Sequence, residues 1–301
     1  MEVVLSAPRG FCAGVVRAVD IVELCLERFG SPIYVRREIV HNPHVVSELQ
    51  SKGAIFVEEL DEVPEGQHVV FSAHGVSPVV WKQSQDRRLS VVDATCPLVT
   101  KVHLEALKYA KEGYSILLIG HTGHDEVIGT MGEAPDACIL VEDITRASAV
   151  EVPNPDRVVA LTQTTLSIDD TSEIIRVLKS RFPKLISRND ICYATSNRQE
   201  AVKSITQEVD VVMVIGAQNS SNCNRLREVA EAEGVPAYLI NSPSDIQDDW
   251  LYGVERVGIT SGASTPERLV KDVIARLGPV TVRNVEIIEE NVIFQLPKEL
   301  R

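Results

Sequence analysis

Three cysteines, Cys12, Cys96 and Cys192, each stand just ahead of a stretch with helical periodicity. A thiol at a helix N-terminus is pushed toward the thiolate form, the form that binds metals. Three such thiolates, one from each of three similar segments, are suitable ligands for an iron–sulfur cluster or for zinc. Pro97 directly after Cys96 suits the first position of a helix. The spacing is not a local Cys-x-x-Cys pattern, so the metal reading rests on repetition. The other three cysteines read as core residues: Cys25 on an apolar helix face, Cys138 in a strand, and Cys223 beside a polar loop without a counterpart in the other segments.

Each cysteine segment also carries two polar loops that follow short apolar strands. The first set is His41-Asn42-Pro43-His44, His121 through Glu126, and Asn219-Ser220-Ser221-Asn222. The second set is Ala73-His74-Gly75, Thr162 through Thr165, and Ser261-Gly262-Ala263-Ser264. In parallel α/β units such loops lie at the carboxyl ends of strands and open helices, where free N–H groups favour anions. Each exposed helix end contributes only about 0.3–1 kcal/mol, but several converging ends could hold a doubly phosphorylated group without lysines. His41, His74 and His124 occupy matched loop ends and read as binding residues. Glu126 is the one carboxylate in these loops besides Asp125, which makes it the natural proton donor. His44 and His121 read as capping or packing residues, and His68 and His103 as surface or core fillers.

The elements that must present these residues form a threefold repeat. Apolar strands are expected over Ile33–Val40, Ser115–Gly120 and Val211–Gly216, and again over Val69–Ser72, Val158–Leu161 and Val257–Thr260. Helix-start signals follow at Ser77-Pro78, at Ser167 with Asp169 and Asp170, and at Thr265-Pro266. A further strand leads to each next cysteine: Leu89–Val92 before Cys96 and Leu185–Ser187 before Cys192. The third segment runs through Val280–Val282 and meets no cysteine. The spare strand followed by a cysteine is N-terminal, Val3–Leu5 before Cys12, so that strand is expected to join the third unit. Strands alternating with helices imply parallel sheets. The expected fold is α/β: three small parallel-sheet units in pseudo-threefold arrangement around a central axis, where the three cysteines would hold an iron–sulfur cluster or zinc. The units are residues 12–95, 96–191 and 192–284, the last joined by strand 1–11, with 285–301 as a C-terminal closing segment.

Composition sets the outer bounds. The chain has 301 residues and 44% hydrophobic content, ample for packed cores. A net charge of −13 argues against a nucleic-acid binder, which would show a basic face. It leaves room for a locally positive pocket that takes a small anion. Apolar runs such as Val211–Ala217 are too short to cross a bilayer. The N-terminus lacks a basic n-region, and the expected compartment is the cytoplasm. Six cysteines in that compartment argue against a disulfide framework.

Read together, these motifs resemble the 4-hydroxy-3-methylbut-2-enyl diphosphate reductase family. The resemblance runs through Arg9-Gly10-Phe11-Cys12-Ala13-Gly14-Val15, Ile39-Val40-His41-Asn42, Ser72-Ala73-His74-Gly75-Val76 and Asp93-Ala94-Thr95-Cys96-Pro97. It continues through Gly120 to Thr130, Gln163 to Ser167, and Ile191-Cys192 with Thr195 and Asn197-Arg198-Gln199. It ends in Asn219 to Asn222 and Gly262 to Pro266. It implies that Cys12, Cys96 and Cys192 hold a [4Fe-4S] cluster with one iron open to a substrate hydroxyl. It further implies that His41, His74, His124, Ser220, Ser221, Asn222 and Ser264 bind a diphosphate, that Glu126 delivers protons, and that Thr164 orients the donor or the hydroxyl. The implied activity is an iron–sulfur oxidoreductase of isoprenoid biosynthesis. It removes the hydroxyl of an allylic diphosphate with two electrons and two protons, giving isopentenyl and dimethylallyl diphosphates. The resemblance also implies that electrons come from an external ferredoxin or flavodoxin, and the chain shows no flavin or nicotinamide fingerprint of its own.

Two positions depart from the family pattern. His124-Asp125-Glu126 replaces the usual His-Pro-Glu and sets a second carboxylate beside the donor, with an expected effect on its proton affinity. Gln218 stands where a lysine is common and leaves less positive charge near the pocket. Two other readings compete: a zinc hydrolase with three cysteine ligands, and a non-catalytic iron–sulfur redox sensor, which would have no use for an anion pocket.

Overall fold

The computed structural model describes residues 1–301. In chain order the strands are β1 (Glu2–Ala7), β2 (Ile33–Arg36), β3 (Ala54–Val57), β4 (His68–Phe71), β5 (Ser90–Asp93), β6 (Ser115–Ile119), β7 (Cys138–Val141), β8 (Val158–Thr162), β9 (Ile186–Ser187), β10 (Val211–Ile215), β11 (Ala237–Ile240), β12 (Arg256–Ser261) and β13 (Thr281–Glu286). The helices are α1 (Ala13–Phe29), α2 (Pro43–Ser51), α3 (Pro78–Asp86), α4 (Pro97–Lys111), α5 (Asp125–Glu133), α6 (Ile144–Ala149), α7 (Ile168–Arg181), α8 (Tyr193–Thr206), α9 (Ser221–Ala232) and α10 (Glu267–Leu277).

The strands form three sheets, and every pairing is parallel. Their orders are β3-β2-β4-β5, β7-β6-β8-β9 and β11-β10-β12-β1-β13. The three orders are one pattern. In the first two sheets the fourth position holds the strand that leads to a cysteine, β5 before Cys96 and β9 before Cys192. In the third sheet β1 holds that position and leads to Cys12. The N-terminal strand therefore completes the third sheet, as the repeat predicts. β13 lies outside it as an added edge strand, registered from Glu2↔Thr281 to Ala7↔Glu286.

The chain divides into two compact units. The first comprises Met1–Val16, His41–Val45 and Cys192–Ile293 and contains the five-stranded sheet. The second comprises Arg17–Val40, Val46–Ile191 and Phe294–Arg301 and contains both four-stranded sheets. The sheets are covered on both faces, which is why their strands read as unbroken apolar runs. In the first unit Val3, Val211, Met213 and Ile259 pack on one face, and Val4, Val212 and Val214 on the other. In the second, Leu117, Ile119 and Ala160 oppose Ile116, Leu118 and Leu161 across the sheet of β6–β9. No helix is long and apolar enough to cross a membrane.

One expected strand is shorter than its apolar run. β2 stops at Arg36 and not at Val40, because Arg37 takes a left-handed conformation, φ 57°. A β-branched neighbour could not adopt that conformation cheaply. Ile39 and Val40 are still buried and so kept their apolar character without belonging to a strand.

Candidate functional site

The three cysteines of the repeat stand at equivalent helix starts. The Cys12 carbonyl accepts from Val16 N at 2.9 Å, that of Cys96 from Thr100 N at 3.0 Å, and that of Cys192 from Ser196 N at 3.0 Å. Each is thus the residue whose carbonyl opens its helix. At Cys192 the sulfur receives a backbone donor, Thr195 N at 3.4 Å, with Thr195 Oγ1 at 3.2 Å. None of the six cysteines is disulfide-bonded. Cys12, Cys96 and Cys192 are half-buried, whereas Cys25, Cys138 and Cys223 are fully buried. Burial pushes the Cys25 thiol up to about 11 and that of Cys138 to about 12, and raises Cys223 as well. The six thiols therefore sort into three partly accessible ones at helix starts and three inert core residues.

The first unit holds Cys12, Cys192, His41, Ser220, Ser221, Asn222 and Ser264. Asn42 Oδ1 accepts from the backbone N of His44 at 3.0 Å and of Val45 at 3.3 Å, an Asx cap that opens α2. Ser264 Oγ donates to the His41 carbonyl at 3.0 Å, joining the two loops. His44 Nε2 lies 2.9 Å from the Asn241 carbonyl, which supports its reading as a packing residue. Ser220 caps α9, its Oγ accepting from Cys223 N at 3.4 Å. Asn222 is 4% exposed, yet neither Nδ2 nor Oδ1 has a partner. Because no protein group pairs with either atom, the buried amide offers a donor and an acceptor to a ligand. Gly262 makes room for this arrangement: a Cβ there would meet Cys223 Sγ at 2.2 Å and Asn222 Nδ2 at 3.4 Å. Gln218 is exposed and donates to the Leu239 carbonyl at 3.0 Å.

The second unit holds Cys96, His74, His124, Glu126 and Thr164. His124 caps α5, its Nδ1 accepting from Glu126 N at 3.2 Å. In the neutral ring that leaves the proton on Nε2, which is then a donor. Glu126, in the first turn, is 2% exposed. Its Oε1 accepts from Thr164 N at 2.7 Å and its Oε2 from Thr164 Oγ1 at 2.9 Å. Burial pushes the carboxyl up to about 7 against the pull of both Thr164 bonds, and the charge of Asp190 adds to the push. Near neutral pH Glu126 therefore exists in both protonation states, the condition for an efficient general acid.

Asp125 does not act on Glu126 in the expected way. Its carboxylate turns to Arg37, with which it is ion-paired, and Oδ2 lies 4.0 Å from His74 Nδ1. Neutralised there, it is absent from the causes of the Glu126 shift, and the second carboxylate that does contribute is Asp190. Asp190 is itself buried and raised by that burial, and it pairs with Lys101 Nζ at 3.0 Å. His74 also has Ser72 Oγ 3.4 Å from Nδ1, and its ring meets that of His124 edge-on with centroids 6.0 Å apart.

His103 has a larger place than that of a filler. It is buried on α4, with Nδ1 3.0 Å from Glu133 Oε1. A Cβ on Gly75 would come within 3.1 Å of its ring, and one on Gly129 within 3.2 Å. Gly75, after His74, and Gly129, one turn beyond Glu126, thus both press against His103. The signal in the sequence was Gly129 and Gly132 inside a short helix, where glycine is unfavourable without a packing reason.

Comparison with known proteins bears directly on this arrangement. A family model described as "LytB protein" matches residues 3–278. A protein of Ralstonia nicotianae named 4-hydroxy-3-methylbut-2-enyl diphosphate reductase is 54% identical over 305 residues, covering 100% of this chain and 94% of the relative. A protein of the same name from Leifsonia xyli is 57% identical over 306 residues, covering 100% and 91%. Among solved structures, the E-1-hydroxy-2-methyl-but-2-enyl-4-diphosphate reductase of Plasmodium falciparum matches with a TM-score of 0.96 at 40% identity, covering 100% of this chain and 96% of that one. With a family model spanning nearly its whole length and relatives above half identity end to end, this chain belongs to the LytB family.

Proposed function

We propose that the protein reduces 4-hydroxy-3-methylbut-2-enyl diphosphate to isopentenyl and dimethylallyl diphosphates, the last step of the methylerythritol phosphate route. The observation that carries this reading is Glu126: a buried carboxyl held near a pKa of about 7, in a chain whose full-length relatives bear the reductase name.

The donor set suits a [4Fe-4S] cluster. Cys12, Cys96 and Cys192 are the three cysteines that are half-buried, and each opens a helix. Three thiolates would hold three irons and leave the fourth for substrate. When bound, the cluster would relay electrons from the external donor, one at a time, and would offer a Lewis-acidic iron to the departing hydroxyl.

The chain's own residues account for the rest. The hydroxyls of Ser220, Ser221 and Ser264, the amide of Asn222, and the imidazoles of His41, His74 and His124 hold the diphosphate by charge-assisted hydrogen bonds. Binding that remote group positions the reacting alcohol. Glu126 supplies protons, and Thr164, bonded to both of its oxygens, sets its orientation. Two electrons and two protons enter and one water leaves, so the carbon skeleton and the diphosphate are unchanged. The electrons come from a separate carrier such as ferredoxin or flavodoxin. A compartment that keeps six unbridged cysteines reduced is the cytoplasm.

Anaerobic purification with iron and sulfide analysis, visible absorption and turnover under a low-potential reductant tests the proposal. The expected protein is brown and active. A colourless zinc protein would favour the hydrolase, and a brown protein without turnover or diphosphate binding would favour the sensor.

A further inference from the structure

Within the first unit, the loop carrying Cys12 and the helix carrying Cys192 are joined by bonds that the reaction itself does not use. Tyr193 follows Cys192, and its hydroxyl accepts from the backbone N of Ala13, directly after Cys12, at 3.3 Å. Arg198 lies five residues further along α8, about one and a half turns. Its Nη2 donates to the Gly10 carbonyl at 2.8 Å and its Nη1 to the Ala194 carbonyl at 2.9 Å. Gly10 has φ 70°, a conformation that turns the loop and that glycine adopts without strain.

The Arg198 side chain is 1% exposed. A charge buried that deeply needs a counter-charge, and it comes from a segment without regular secondary structure. Glu290 accepts from Arg198 Nη1 at 3.1 and 3.3 Å, and its Oε1 also accepts from Asn197 Nδ2 at 3.0 Å. Arg198, Asn197 and Glu290 thus form one connected group, with the C-terminal segment on one side and the Cys12 loop on the other. Residues 287–297, after β13, have no sheet or helix of their own to explain why Glu290 is held.

We infer that Tyr193 and Arg198, with Glu290 as the counter-charge, form a clamp that fixes Cys12 and Cys192 relative to each other, and that the segment after β13 serves to close it. They are positioning residues: none is a ligand, and each acts through the backbone on either side of a cysteine. The inference rests on the cluster reading above, because fixing two thiols matters to function only if both bind one metal group. Fixed ligands retain a cluster better than ligands that must be ordered on binding, and supporting groups beyond the ligands typically change metal affinity by about 10–100-fold.

Two variants that keep side-chain shape test the clamp: Glu290→Gln and Tyr193→Phe. In anaerobically reconstituted protein, iron loss to a ferrous chelator should accelerate by about 10–100-fold, and the electron paramagnetic resonance line shape of the reduced cluster should change. The unfolding temperature of the apoprotein should stay near the parent's in Tyr193→Phe and fall in Glu290→Gln, which leaves the buried Arg198 guanidinium without its counter-charge. In that apoprotein, backbone hydrogen exchange over residues 9–16 should be faster in both variants, which reads the clamp without iron. Parent-like iron retention and exchange in both variants would overturn the inference. A parent that takes up no iron would refute the cluster reading instead, and the exchange measurement would still decide whether the clamp orders the Cys12 loop.

Discussion

Thr164 gives Glu126 two hydrogen bonds, one from its backbone N to Oε1 at 2.7 Å and one from its hydroxyl to Oε2 at 2.9 Å. Both bonds favour the carboxylate and lower its pKa, yet the net shift is upward, to about 7. Burial therefore outweighs two good donors. The pair holds the proton of Glu126 in balance: burial alone would keep it bound, and the Thr164 bonds allow it to leave.

Replacing Glu126 by Gln should preserve iron content and substrate binding while removing nearly all turnover. Gln has almost the same shape and can still receive the Thr164 N–H, but it cannot deliver a proton. General acids typically contribute about 10²–10⁴-fold, and a loss in that range is expected in anaerobic assays of protein with an intact cluster spectrum. Activity within a few-fold of the parent would mean that the proton comes from another group.

The pH dependence has a defined sign. Glu126 is protonated below about 7, so the proton-donating fraction, and with it kcat, should fall as pH rises through that value. Thr164→Val removes the hydroxyl donor and should raise the Glu126 pKa further. A hydrogen bond to a charged group is worth about 1.5–3 kcal/mol and one pKa unit about 1.4 kcal/mol, so the alkaline limb should move up by roughly one to two units. Stability runs the same way. A buried carboxyl raised from 4.5 to about 7 favours the fold fully below 4.5, and that contribution is lost as pH rises through about 7. Unchanged pH profiles in Thr164→Val would separate Thr164 from the acid.

Much of this was legible in the residue string, for a physical reason. Short parallel strands are continuous apolar runs, and helix starts carry Pro, Ser or Cys, so the repeat and the closure of the third sheet by β1 could be read directly. The remaining features depend on pairs distant in sequence. Asp125 looks like a neighbour of Glu126, but its partner is Arg37, 88 residues away. The segment 285–301 was expected to close the fold, but nothing in its sequence singles out Glu290 as the acid that neutralises Arg198, 92 residues away. Charge pairs of this kind have no periodicity, and each member alone resembles surface. His103 was hidden in another way: nothing local distinguishes a histidine that packs against Gly75 and Gly129 from one that fills space.

The six cysteines should separate cleanly by substitution. Cys12→Ser, Cys96→Ser and Cys192→Ser should each lose the cluster, since a serine oxygen is a poor substitute for thiolate toward iron. For the buried set alanine is the better probe, because serine would bury a hydroxyl without a partner. Cys25→Ala and Cys138→Ala should retain parental iron and sulfide, with a stability loss of about 1 kcal/mol from the small cavity. Normal iron in Cys96→Ser, or iron loss in Cys138→Ala, would break the sorting by burial.

Asn222→Ala should act in opposite directions on the empty and the loaded protein. No protein group pairs with either polar atom of the buried Asn222 side chain, and a buried polar group left without a partner costs about 1–3 kcal/mol. Removing them should therefore leave the unfolding temperature of the empty protein unchanged or higher, despite the lost volume. With inorganic pyrophosphate as the probe, the same variant should bind more weakly, by roughly tenfold to a hundredfold, as expected for a lost hydrogen bond to a charged group. A residue that merely packs would show the reverse: lower stability and unchanged pyrophosphate affinity. Calorimetric titration and thermal melts of the same preparation distinguish the two, and weaker binding with undiminished stability is the pattern that assigns Asn222 to the anion site.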